Sequence, residues 1–555
     1  MLHPKYMLIR LALFSAASLI SMVPVFFFDA GGDVLFHLTL IRCFGEQFWQ
    51  GDFYPQWCME ANAGLGAPLF LFYFPFPYFL TAMLTPLQQL GVSLEQIYTL
   101  GIFFCTLFTC FAAWAWLSEF TAPRVALFGA LIYLLMPYRM EVMLFRSAYA
   151  ELWVIAWMPM VLRAARLLVM DKVGGFCSLA FWMGLCFITH VPCALVIAFA
   201  VGIYVLILKA GVPRAILRAG IAVLLGALAS AFFTFPAWKY MIYTGGSAIV
   251  HNPLAWPNNF VTMENLTELG QGRILINLGL TILAALALAV LLLVKRKSIK
   301  GTFERSEAFA AAVMCVVAVP LLFPFSKPAW DAIGFLSTVA FPWRMQLMLM
   351  AGVMLMFMIA VQSLMAGRKT SRMDGALLIG LMMMLSLFVV TERDAAFAPL
   401  FNDIAESRYV TQREYRSAWT PEEKVSREAI LERHKDRANI PQVVTAKGIA
   451  TTKIKEWGWK AIVLEVSAVG NATVRLDHTY FPVWHAATRD GTMLMMKPEK
   501  DSGRALLEVP PGEHWIRIRM SAEQPGEVVV RAAYILSLLV FFWVIFFGRR
   551  RHTLY

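Results

Sequence analysis

The sequence predicts a polytopic all-α membrane bundle of about 12–13 helices, followed by a β-rich domain and one last transmembrane helix. Three observations predict this fold class. Of the 555 residues, 59% are hydrophobic and only 15% are charged, and the mean hydropathy is +0.64. Apolar runs of about 20 residues, the length of one membrane crossing, recur along most of the chain. One charged stretch near the C-terminus instead alternates apolar and polar residues.

This composition excludes an ordinary water-soluble protein, which carries about 45–50% apolar and about 25% charged residues. The formal charge of +12 does not indicate a nucleic-acid partner, because no basic stripe with interleaved aromatic residues is present. The basic residues lie in short loops between apolar runs, where they act as orientation signals. The expected partner of the surface is therefore the lipid bilayer, with no nucleic acid.

The first helix follows Lys5 and Arg10 and is expected to run outward uncleaved. The further apolar runs lie near 69–88, 97–118, 124–138, 152–170, 174–190, 192–209, 216–238, 276–294, 308–323, 344–365, 375–391 and 532–548. By the positive-inside rule, the basic loops 163–172, 209–218, 295–305 and 368–372 and the tail Arg549–Arg551 are cytoplasmic. The loops 29–66, 139–151, 239–275 and 324–343 then face outward.

Helix parity conflicts with an outward C-terminal domain if every run crosses the membrane. Residues 69–88 are the best candidate for a partial crossing, because they contain Pro75, Pro77 and Pro86, and proline removes a backbone donor and breaks helices. A miscounted pair of helices elsewhere is the alternative. The predicted organisation is a transmembrane module over 1–391, an extracytoplasmic domain over 392–531, and a last helix with a basic cytoplasmic tail over 532–555.

The extracytoplasmic domain is predicted to be β-rich from about residue 451. There the apolar residues alternate with polar ones, as in Ala461–Val466 and His514–Arg519, and turn residues such as Pro510-Pro511-Gly512 separate the runs. A period of two with such turns predicts a small antiparallel sandwich, similar to a jelly roll.

The first outward loop is the most unusual segment. Asp33 and His37 are four residues apart and would share one face of an amphipathic helix at the membrane surface. An acid there is placed to act on a lipid head group, and a solvated loop carboxylate is the alternative. Glu60 and Tyr73 lie in a following stretch rich in aromatic residues and glycine, which suits either a cavity wall or an aromatic belt.

Two cysteines of this loop, Cys43 and Cys58, form a disulfide in an oxidising compartment or remain two free thiols.

The second outward loop carries Arg139, Arg146 and Glu151 in a short stretch. Ionisable groups at membrane depth are costly, and most are paired or functional. The two arginines are suited to bind a phosphate through bidentate hydrogen bonds, and an Arg146–Glu151 ion pair is the alternative. His190 and Arg344 lie near outer helix ends. Arg344 is either another phosphate contact or an anchor that snorkels to the interface.

No nucleotide-binding loop, dinucleotide turn, zinc-protease helix or serine-hydrolase elbow occurs in a credible context. The sequence therefore gives no support to ATP-driven transport, nicotinamide chemistry, or zinc or serine hydrolysis.

Several short segments together resemble the GT-C superfamily of integral-membrane glycosyltransferases. More narrowly they resemble the bacterial membrane proteins labelled 6-pyruvoyl-tetrahydropterin-synthase-related. The matching segments lie at 31–37, 64–73, 137–139, 146–151, 189–190, 341–344 and 480–491. One departure is Val483, where the family more often has glycine, and it touches the β-rich domain rather than the expected site.

The resemblance implies transfer of a sugar from a polyprenyl-phosphate donor to a glycan, lipid or protein acceptor, on the outer face of a bacterial cytoplasmic (inner) membrane. Asp33, His37 and Glu151 are the catalytic candidates, with Asp33 as general base. Arg139, Arg146 and Arg344 would neutralise the donor phosphate. Glu60, Tyr73 and His190 would line the cavity for the acceptor. The resemblance implies no obligatory cofactor, and a divalent cation, Mg²⁺ or Mn²⁺, with Asp33 as its candidate ligand, is the alternative.

Two other functions compete with this one. A non-catalytic scaffold for envelope polysaccharide assembly would need none of these ionisable groups for chemistry. A transporter or flippase of lipid-linked sugars is the other alternative, but transporters often show repeated halves, and no such repeat is visible.

Overall fold

The computed structural model describes residues 4–27, 33–62, 64–209, 211–245, 256–262, 272–299, 301–365, 380, 417–420, 442–520 and 525–546. The predicted helix at 375–391, apart from residue 380, and most of the stretch 392–441 lie outside these residues.

The described helices are mostly apolar and are numbered here in chain order. They are α1 Pro4–Phe27, α2 Val34–Trp49, α3 Leu69–Phe72, α4 Phe76–Ala82, α5 Leu94–Leu117, α6 Pro123–Leu135, α7 Pro137–Glu141, α8 Tyr149–Val169, α9 Gly175–Thr189, α10 Val191–Leu208, α11 Pro213–Ala229, α12 Ala231–Tyr240, α13 Gly272–Val294, α14 Thr302–Ala318, α15 Lys327–Ala332, α16 Gly334–Val339, α17 Gln346–Met365 and α18 Pro525–Phe546. Short 3₁₀ turns lie at Thr85–Leu90, Met241–Tyr243, Trp256–Asn258, Arg296–Ser298, Pro320–Leu322, Pro324–Ser326 and Pro342–Met345.

Local sequence signals explain several helix starts. Ser93 caps α5 through a hydrogen bond from the backbone N–H of Gln96, whose side chain in turn accepts from the N–H of Ser93, and this reciprocal pair satisfies two otherwise unpaired donors. Proline occupies the first position of α6, α7 and α11, where its missing N–H costs nothing.

Six helical segments are long and apolar enough to cross a membrane, and the number rises to eight if each of two bent pairs is counted as one span. The six are Leu94–Leu117, Tyr149–Val169, Val191–Leu208, Leu275–Val294, Thr302–Leu322 and Pro342–Met365. The bent pairs cover 123–146 and 213–243, with bends of 45° and 70°. Together these helices fit a multi-pass membrane protein.

The described part of the chain thus has fewer clear spans than the predicted 12–13. Two predicted runs form shorter apolar helices, Met7–Val23 and Gly175–Thr189. The run at 69–88 forms three short pieces, α3, α4 and the turn Thr85–Leu90, of which the longest has seven residues. A seven-residue helix is roughly 10 Å long, well short of the roughly 30 Å hydrocarbon core.

The C-terminal β-sheet region contains nine antiparallel strands in two sheets. The strands are β1 Val443–Lys447, β2 Ala450–Trp457, β3 Ala461–Ala468, β4 Ala472–Thr479, β5 Trp484–Thr488, β6 Met493–Leu494, β7 Met496–Pro498, β8 Arg504–Val509 and β9 Gly512–Met520. One sheet has the order β1-β4-β8-β7 and the other β2-β3-β9-β5-β6. The first strand begins at Val443, earlier than the predicted 451. The sequence pattern missed β1 because this strand has no fully buried residue and carries little apolar alternation.

Burial alternates along the inner strands, as the sequence pattern predicts. In β3 the buried side chains include Ile462, Leu464 and Val466, and in β4 they include Val474 and Leu476. Residues from both sheets belong to one apolar cluster, so the two sheets bury their apolar faces against a common core.

This β-sheet region docks on the first loop of the helical part. The indole of Trp57 stacks on His478 at 4.9 Å and meets Trp484 edge-on at 5.4 Å. The backbone N–H of Thr479 donates to the carbonyl of Leu65 at 2.7 Å. These contacts fix the β-sheet region over the segment that precedes α3.

Gly66 makes this docking possible. Its φ is +82°, and a Cβ added there would lie 2.3 Å from Nε1 of Trp57. Only glycine combines that backbone conformation with so close an approach.

The first loop also contains a disulfide between Cys43 and Cys58. The sequence left open whether these cysteines are bonded or are two free thiols, and the structure shows the bond.

Candidate active site around Glu151

The candidate site begins where α2 begins. The backbone N–H of Asp33 donates to the carbonyl of Arg146 at 3.3 Å, so the first loop and the second loop meet at this residue. Burial raises the pKa of the Asp33 carboxyl. The positive charge of Arg146 opposes that rise, the carboxylate of Glu151 adds to it, and the charge of Arg344 opposes it. Four ionisable groups therefore share one electrostatic environment.

His37 lies one turn further along α2 and is fully buried. Its Nε2 accepts a hydrogen bond from the backbone N–H of Tyr149 at 3.2 Å, and its Nδ1 lies 2.6 Å from the hydroxyl of Tyr78. Burial lowers the pKa of His37 to about 3. A neutral imidazole that accepts at Nε2 carries its proton on Nδ1 and donates it to Tyr78. His37 thus ties α2 to the start of α8.

The second loop is short and sharply bent. It consists of α7, one π-helical turn over Val142–Arg146, and Ser147 in the left-handed region with φ +51°. A left-handed serine is uncommon, and here it separates Arg146 from the first turn of α8. The turn directs the Arg146 side chain back toward Glu151.

Glu151 is the centre of the charged group, and its side chain is 1% exposed. Nη1 and Nη2 of Arg146 donate to its two oxygens at 3.2 and 3.0 Å. The hydroxyl of Tyr138 also donates to Oε1 of Glu151. Nε of Arg344 lies 3.5 Å from Oε2. We call these four residues, Tyr138, Arg146, Glu151 and Arg344, the Glu151 cluster.

Arg344 reaches the cluster from a 3₁₀ turn before α17. Its Nη1 donates to the carbonyl of Val339 at 2.6 Å, and the next residue, Ala340, has φ +67°. A non-glycine residue in that region stores backbone strain of order 1–3 kcal/mol, and such strain gathers at functional sites. Both arginine-bearing turns of the site therefore contain a left-handed residue other than glycine.

His190 lies beside Arg344 and caps α10. Its Nδ1 accepts from the backbone N–H of Cys193 at 3.2 Å, while Nη2 of Arg344 lies 3.3 Å from its Nε2. Because a neutral imidazole accepts at one nitrogen only, these two contacts compete for its lone pair.

An aromatic pair borders the two arginines. The rings of Phe341 and Trp343 are parallel, with centroids 4.4 Å apart. The guanidinium of Arg146 lies 5.5 Å from the Trp343 ring and that of Arg344 lies 4.6 Å from the Phe341 ring. Aromatic faces attract cations, so the pair helps to hold both guanidinium groups in place.

The structure thus brings together five predicted site residues, and it places four others differently. Asp33, Arg146, Arg344 and His190 form one group around Glu151. The fully buried Arg139 faces away from them, since its Nη2 donates to the hydroxyl of Thr106 and its Nη1 to the carbonyl of Leu134.

The remaining predicted residues belong to the first loop and its surroundings. Glu60 forms an ion pair with Arg42 at 2.8 Å. Tyr73 packs against the rings of Phe36 and His37, with centroids 4.9 and 6.0 Å away. His37 supports the wall of the site.

Sequence reasoning missed three residues that contribute to the site. Tyr138 donates to Glu151, and Trp343 lies against Arg146. Glu141 is 1% exposed on α7, close enough to interact electrostatically with Arg146 and Glu151. The signal for Glu141 was present, because an acid between apolar runs is rare without a function. Tyrosine and tryptophan near membrane interfaces are too common to single out.

A divalent cation fits this arrangement poorly. Among the described residues, the one group with metal-ligand geometry is Glu151, His190 and Cys193, whose candidate atoms lie within 4.8 Å of one another. Mg²⁺ and Mn²⁺ prefer several oxygen ligands, and this group offers a single carboxylate that two guanidinium groups already neutralise. Asp33 is outside the group, and we assign no metal to the site.

Comparison of the chain with protein-family models, with curated proteins and with solved structures finds no match.

Proposed function

We propose that this protein is a membrane-embedded glycosyltransferase of the GT-C type. It moves a sugar from a polyprenyl-phosphate donor to an acceptor on the outer face of the cytoplasmic membrane. One observation carries the proposal: the guanidinium groups of Arg146, which is partly exposed, and of Arg344, which is buried, converge on the single carboxylate of Glu151 next to the acid Asp33.

The charge of the cluster supports an anionic ligand. Two arginines and one glutamate give the Glu151 cluster an excess of one positive charge. Arginine binds phosphate through two parallel hydrogen bonds and keeps its charge when buried. The side chain of Arg146 is 20% exposed, so a ligand can reach it. A lipid phosphate that enters beside Arg146 and Arg344 would supply the missing negative charge.

The reaction then needs only groups that the site contains. The acceptor hydroxyl oxygen attacks the anomeric carbon of the sugar, and the bond from that carbon to the phosphate oxygen breaks. Asp33 takes the hydroxyl proton as general base, which contributes roughly 10²–10⁴-fold. Arg146 and Arg344 stabilise the charge that develops on the leaving phosphate. The configuration at the anomeric carbon inverts in this single displacement.

The remaining parts of the site serve positioning. Glu151 holds both arginines, and His37 holds the first turn of α8 against α2. The parallel rings of Phe341 and Trp343 lie beside the phosphate site and help to hold the two guanidinium groups in place. Tyr138 fixes the orientation of Glu151.

The proposal also includes the placement of the chain in a bacterial inner membrane, with the β-sheet region outside and folded as a sandwich. The basic loops between apolar runs support this orientation. The Cys43–Cys58 disulfide supports an oxidising compartment for the first loop, and the β-sheet region packs on that loop through Trp57. The common apolar core of the two sheets supports a sandwich.

The test separates phosphate binding from catalysis. The full chain in lipid nanodiscs is titrated with a short polyprenyl phosphate. In parallel, release of polyprenyl phosphate from a panel of polyprenyl-phosphate sugars is followed in the presence of glycan, lipid and protein acceptors. We expect Arg146→Gln to weaken phosphate binding at least tenfold, and Asp33→Asn to retain binding while release falls by roughly 10²–10⁴-fold. Arg163→Gln is the matched control, since Arg163 is paired with Glu119 at the other end of α8.

The rival function is a non-catalytic scaffold, and the saturated Arg146–Glu151 pair is the observation that favours it. A scaffold predicts no specific binding of the phosphate and full tolerance of Asp33→Asn. A flippase predicts phosphate binding without release of the sugar. Either result would replace the transferase proposal.

A further inference from the structure

Glu141 is a buried acid beside the Glu151 cluster that the proposed reaction does not use. It is the last residue of α7 and directly precedes the π-helical turn that ends at Arg146. Glu141 is 1% exposed, and among the described residues neither of its carboxylate oxygens has a hydrogen-bond partner. Because buried polar groups in native proteins are nearly all paired, an unpaired carboxyl in this place calls for an explanation.

Three side chains act on the Glu141 carboxyl. The guanidinium of Arg146 attracts its ionised form, and the carboxylate of Glu151 repels it. The side-chain amide of Gln346, the first residue of α17, is close enough to interact with it, but Nε2 of this amide completes no hydrogen bond. Within the described part of the chain, Arg146 is therefore the positive charge on which an ionised Glu141 depends.

The elements that pack against α7 bring no second charge of that kind. They are α6, the π-helical turn, α13 and α17. Apart from Arg146, the ionisable residues in these elements are Arg124 and Tyr133 of α6 and Arg273 of α13. Among the side chains that the structure describes, only Arg146 and Glu151 act on Glu141 through their charge. On α7 itself, the guanidinium of Arg139 is turned toward Thr106.

An anion bound beside Arg146 would change this balance. Burial disfavours a charged carboxyl, and without hydrogen bonds an ionised Glu141 relies on the positive charge of Arg146. A phosphate at Arg146 brings a negative charge that offsets this attraction. The phosphate and an ionised Glu141 would then repel each other in a poorly solvated site, and a proton on Glu141 removes the repulsion.

Asp33 is the other acid on which the charge of Arg146 acts, and its surroundings differ. It directly precedes the first residue of α2, where the N–H groups of the first helical turn favour a negative charge. Among the described residues, no hydrogen-bond donor serves the carboxylate of Glu141 in this way. Glu141 should therefore respond more strongly than Asp33 when an anion offsets the charge of Arg146.

We propose that Glu141 is a proton site coupled to the anion site of the Glu151 cluster. When a phosphate binds beside Arg146, the carboxylate of Glu141 takes up one proton from the solvent, and it releases the proton when the phosphate leaves. The proposal rests on the phosphate binding proposed above and does not depend on sugar transfer. Because coupling between two ligands is reciprocal, the phosphate binds more weakly as pH rises through the ionisation of Glu141.

Isothermal titration of the full chain in nanodiscs of neutral phosphatidylcholine tests this coupling. The probe is a short polyprenyl methyl phosphate, a diester that lacks the second ionisation of a phosphate monoester at about pH 6. Titrations in two buffers of different ionisation enthalpy count the protons taken up for each probe molecule bound. We expect uptake of up to about one proton, and an affinity that falls by up to about tenfold for each unit of rising pH.

Two variants assign the proton to a residue. Glu141→Gln should bind the probe without proton uptake, and its affinity should change little with pH. Asp33→Asn is the matched comparison, since it removes the other acid on which the charge of Arg146 acts, and most of the uptake should remain. Glu141→Leu also removes the ionisable group, and it replaces the glutamine variant if that protein does not fold.

Three outcomes would overturn the proposal. Binding by the wild-type protein without proton uptake would remove the coupling and leave the proposed phosphate site intact. Uptake that is kept in Glu141→Gln and lost in Asp33→Asn would place the proton on Asp33. If the wild-type protein binds no probe at any pH, the proposed phosphate site itself fails, and the coupling fails with it.

Discussion

Helix α8 carries a buried ionic cluster at each end, and the two clusters use the same residue types differently. Near its start, Glu151 meets Arg146, Arg344 and Tyr138. Near its end, Arg166 donates to both oxygens of Glu307 at 2.9 and 3.3 Å, and the hydroxyl of Tyr204 donates to Glu307 at 2.6 Å. We call Arg166, Tyr204 and Glu307 the Glu307 cluster. The residues Glu151 and Arg166 are roughly 22 Å apart along the helix.

The difference lies in charge balance and access. The Glu307 cluster has one arginine for one glutamate, with side chains 5% and 0% exposed. Arg166 is enclosed by the rings of Phe120 and Phe303. The Glu151 cluster has two arginines for one glutamate, with Asp33 beside it and Arg146 partly exposed. A balanced closed cluster holds helices together, whereas an unbalanced open one is suited to receive an anion.

The largest expected effect is on stability at the Glu307 cluster. Glu307→Gln leaves the charge of Arg166 buried without a counter-ion, and such a loss costs about 3–5 kcal/mol. Chemical denaturation of the protein in detergent measures it. Replacing the whole cluster, with Arg166→Met, Tyr204→Phe and Glu307→Leu together, should recover most of the loss, since well-packed apolar groups can replace a buried pair. A Glu307→Gln protein as stable as wild type would contradict a structural role.

Asp33→Asn should behave in the opposite way, with activity lost and stability kept or raised. Because the folded state raises the pKa of Asp33, folding favours the protonated acid, and the ionised form lowers the free energy of unfolding. The loss of stability appears as pH rises from the ordinary aspartate pKa to the raised pKa of the folded state. At still higher pH the loss remains constant. The neutral asparagine avoids the cost at neutral pH, while transfer falls by roughly 10²–10⁴-fold.

The pH profile of wild-type transfer checks the same acid. A general base must be ionised, so the rate should fall as pH drops through a pKa higher than that of ordinary aspartate. If the acidic limb instead lies at or below the ordinary aspartate value, Asp33 is not the base.

Arginine-to-lysine changes should affect polyprenyl-phosphate binding at the Glu151 cluster but not at the Glu307 cluster. Arg146→Lys keeps the charge but loses the paired hydrogen bonds, and we expect about tenfold weaker binding of a polyprenyl phosphate, or about 1.4 kcal/mol. Arg166→Lys should leave that binding unchanged. Isothermal titration of both variants in nanodiscs gives the comparison. Equal weakening in both would mean that the phosphate does not distinguish the two ends of α8.

The smallest expected effect is the release of backbone strain at the open cluster. Ala340 has φ +67°, a conformation that glycine adopts without penalty. Ala340→Gly should therefore raise the free energy of unfolding by up to about 1 kcal/mol. The matched change Ala312→Gly, inside α14, should lower it by up to about 1 kcal/mol. Thermal unfolding of the two variants shows whether the signs differ, and equal destabilisation would argue against stored strain.

The sequence indicated Arg146, Glu151 and Arg344 because they are ionisable residues close to long apolar runs. Asp33, Arg344 and the Arg146–Glu151 pair lie far apart in the chain and come together in the structure. Arg139 was predicted to join them, but α7 turns its side chain toward Thr106. The direction of a side chain on a five-residue helix depends on how that helix is packed, and the sequence pattern does not contain this information.

In the β-sheet region, too, some features were predictable from the sequence and others were not. The period of two predicted strands where β3 and β9 lie, and burial alternates along both strands, because alternation follows directly from strand geometry. The start of the sheet at Val443 was missed, since β1 carries little alternation. The docking of Trp57 on His478 was also not predictable, because it depends on contacts between residues distant in sequence.

Gly66 gives this docking a practical consequence for genetics. One added methyl group there would collide with Trp57, although position 66 carries no charge and touches no residue of the Glu151 cluster in the contacts described above. A strain with alanine at this position would keep every ionisable side chain and yet disrupt the packing of the β-sheet region on the first loop. Its phenotype would show whether cells need the two parts in contact or only need both parts present.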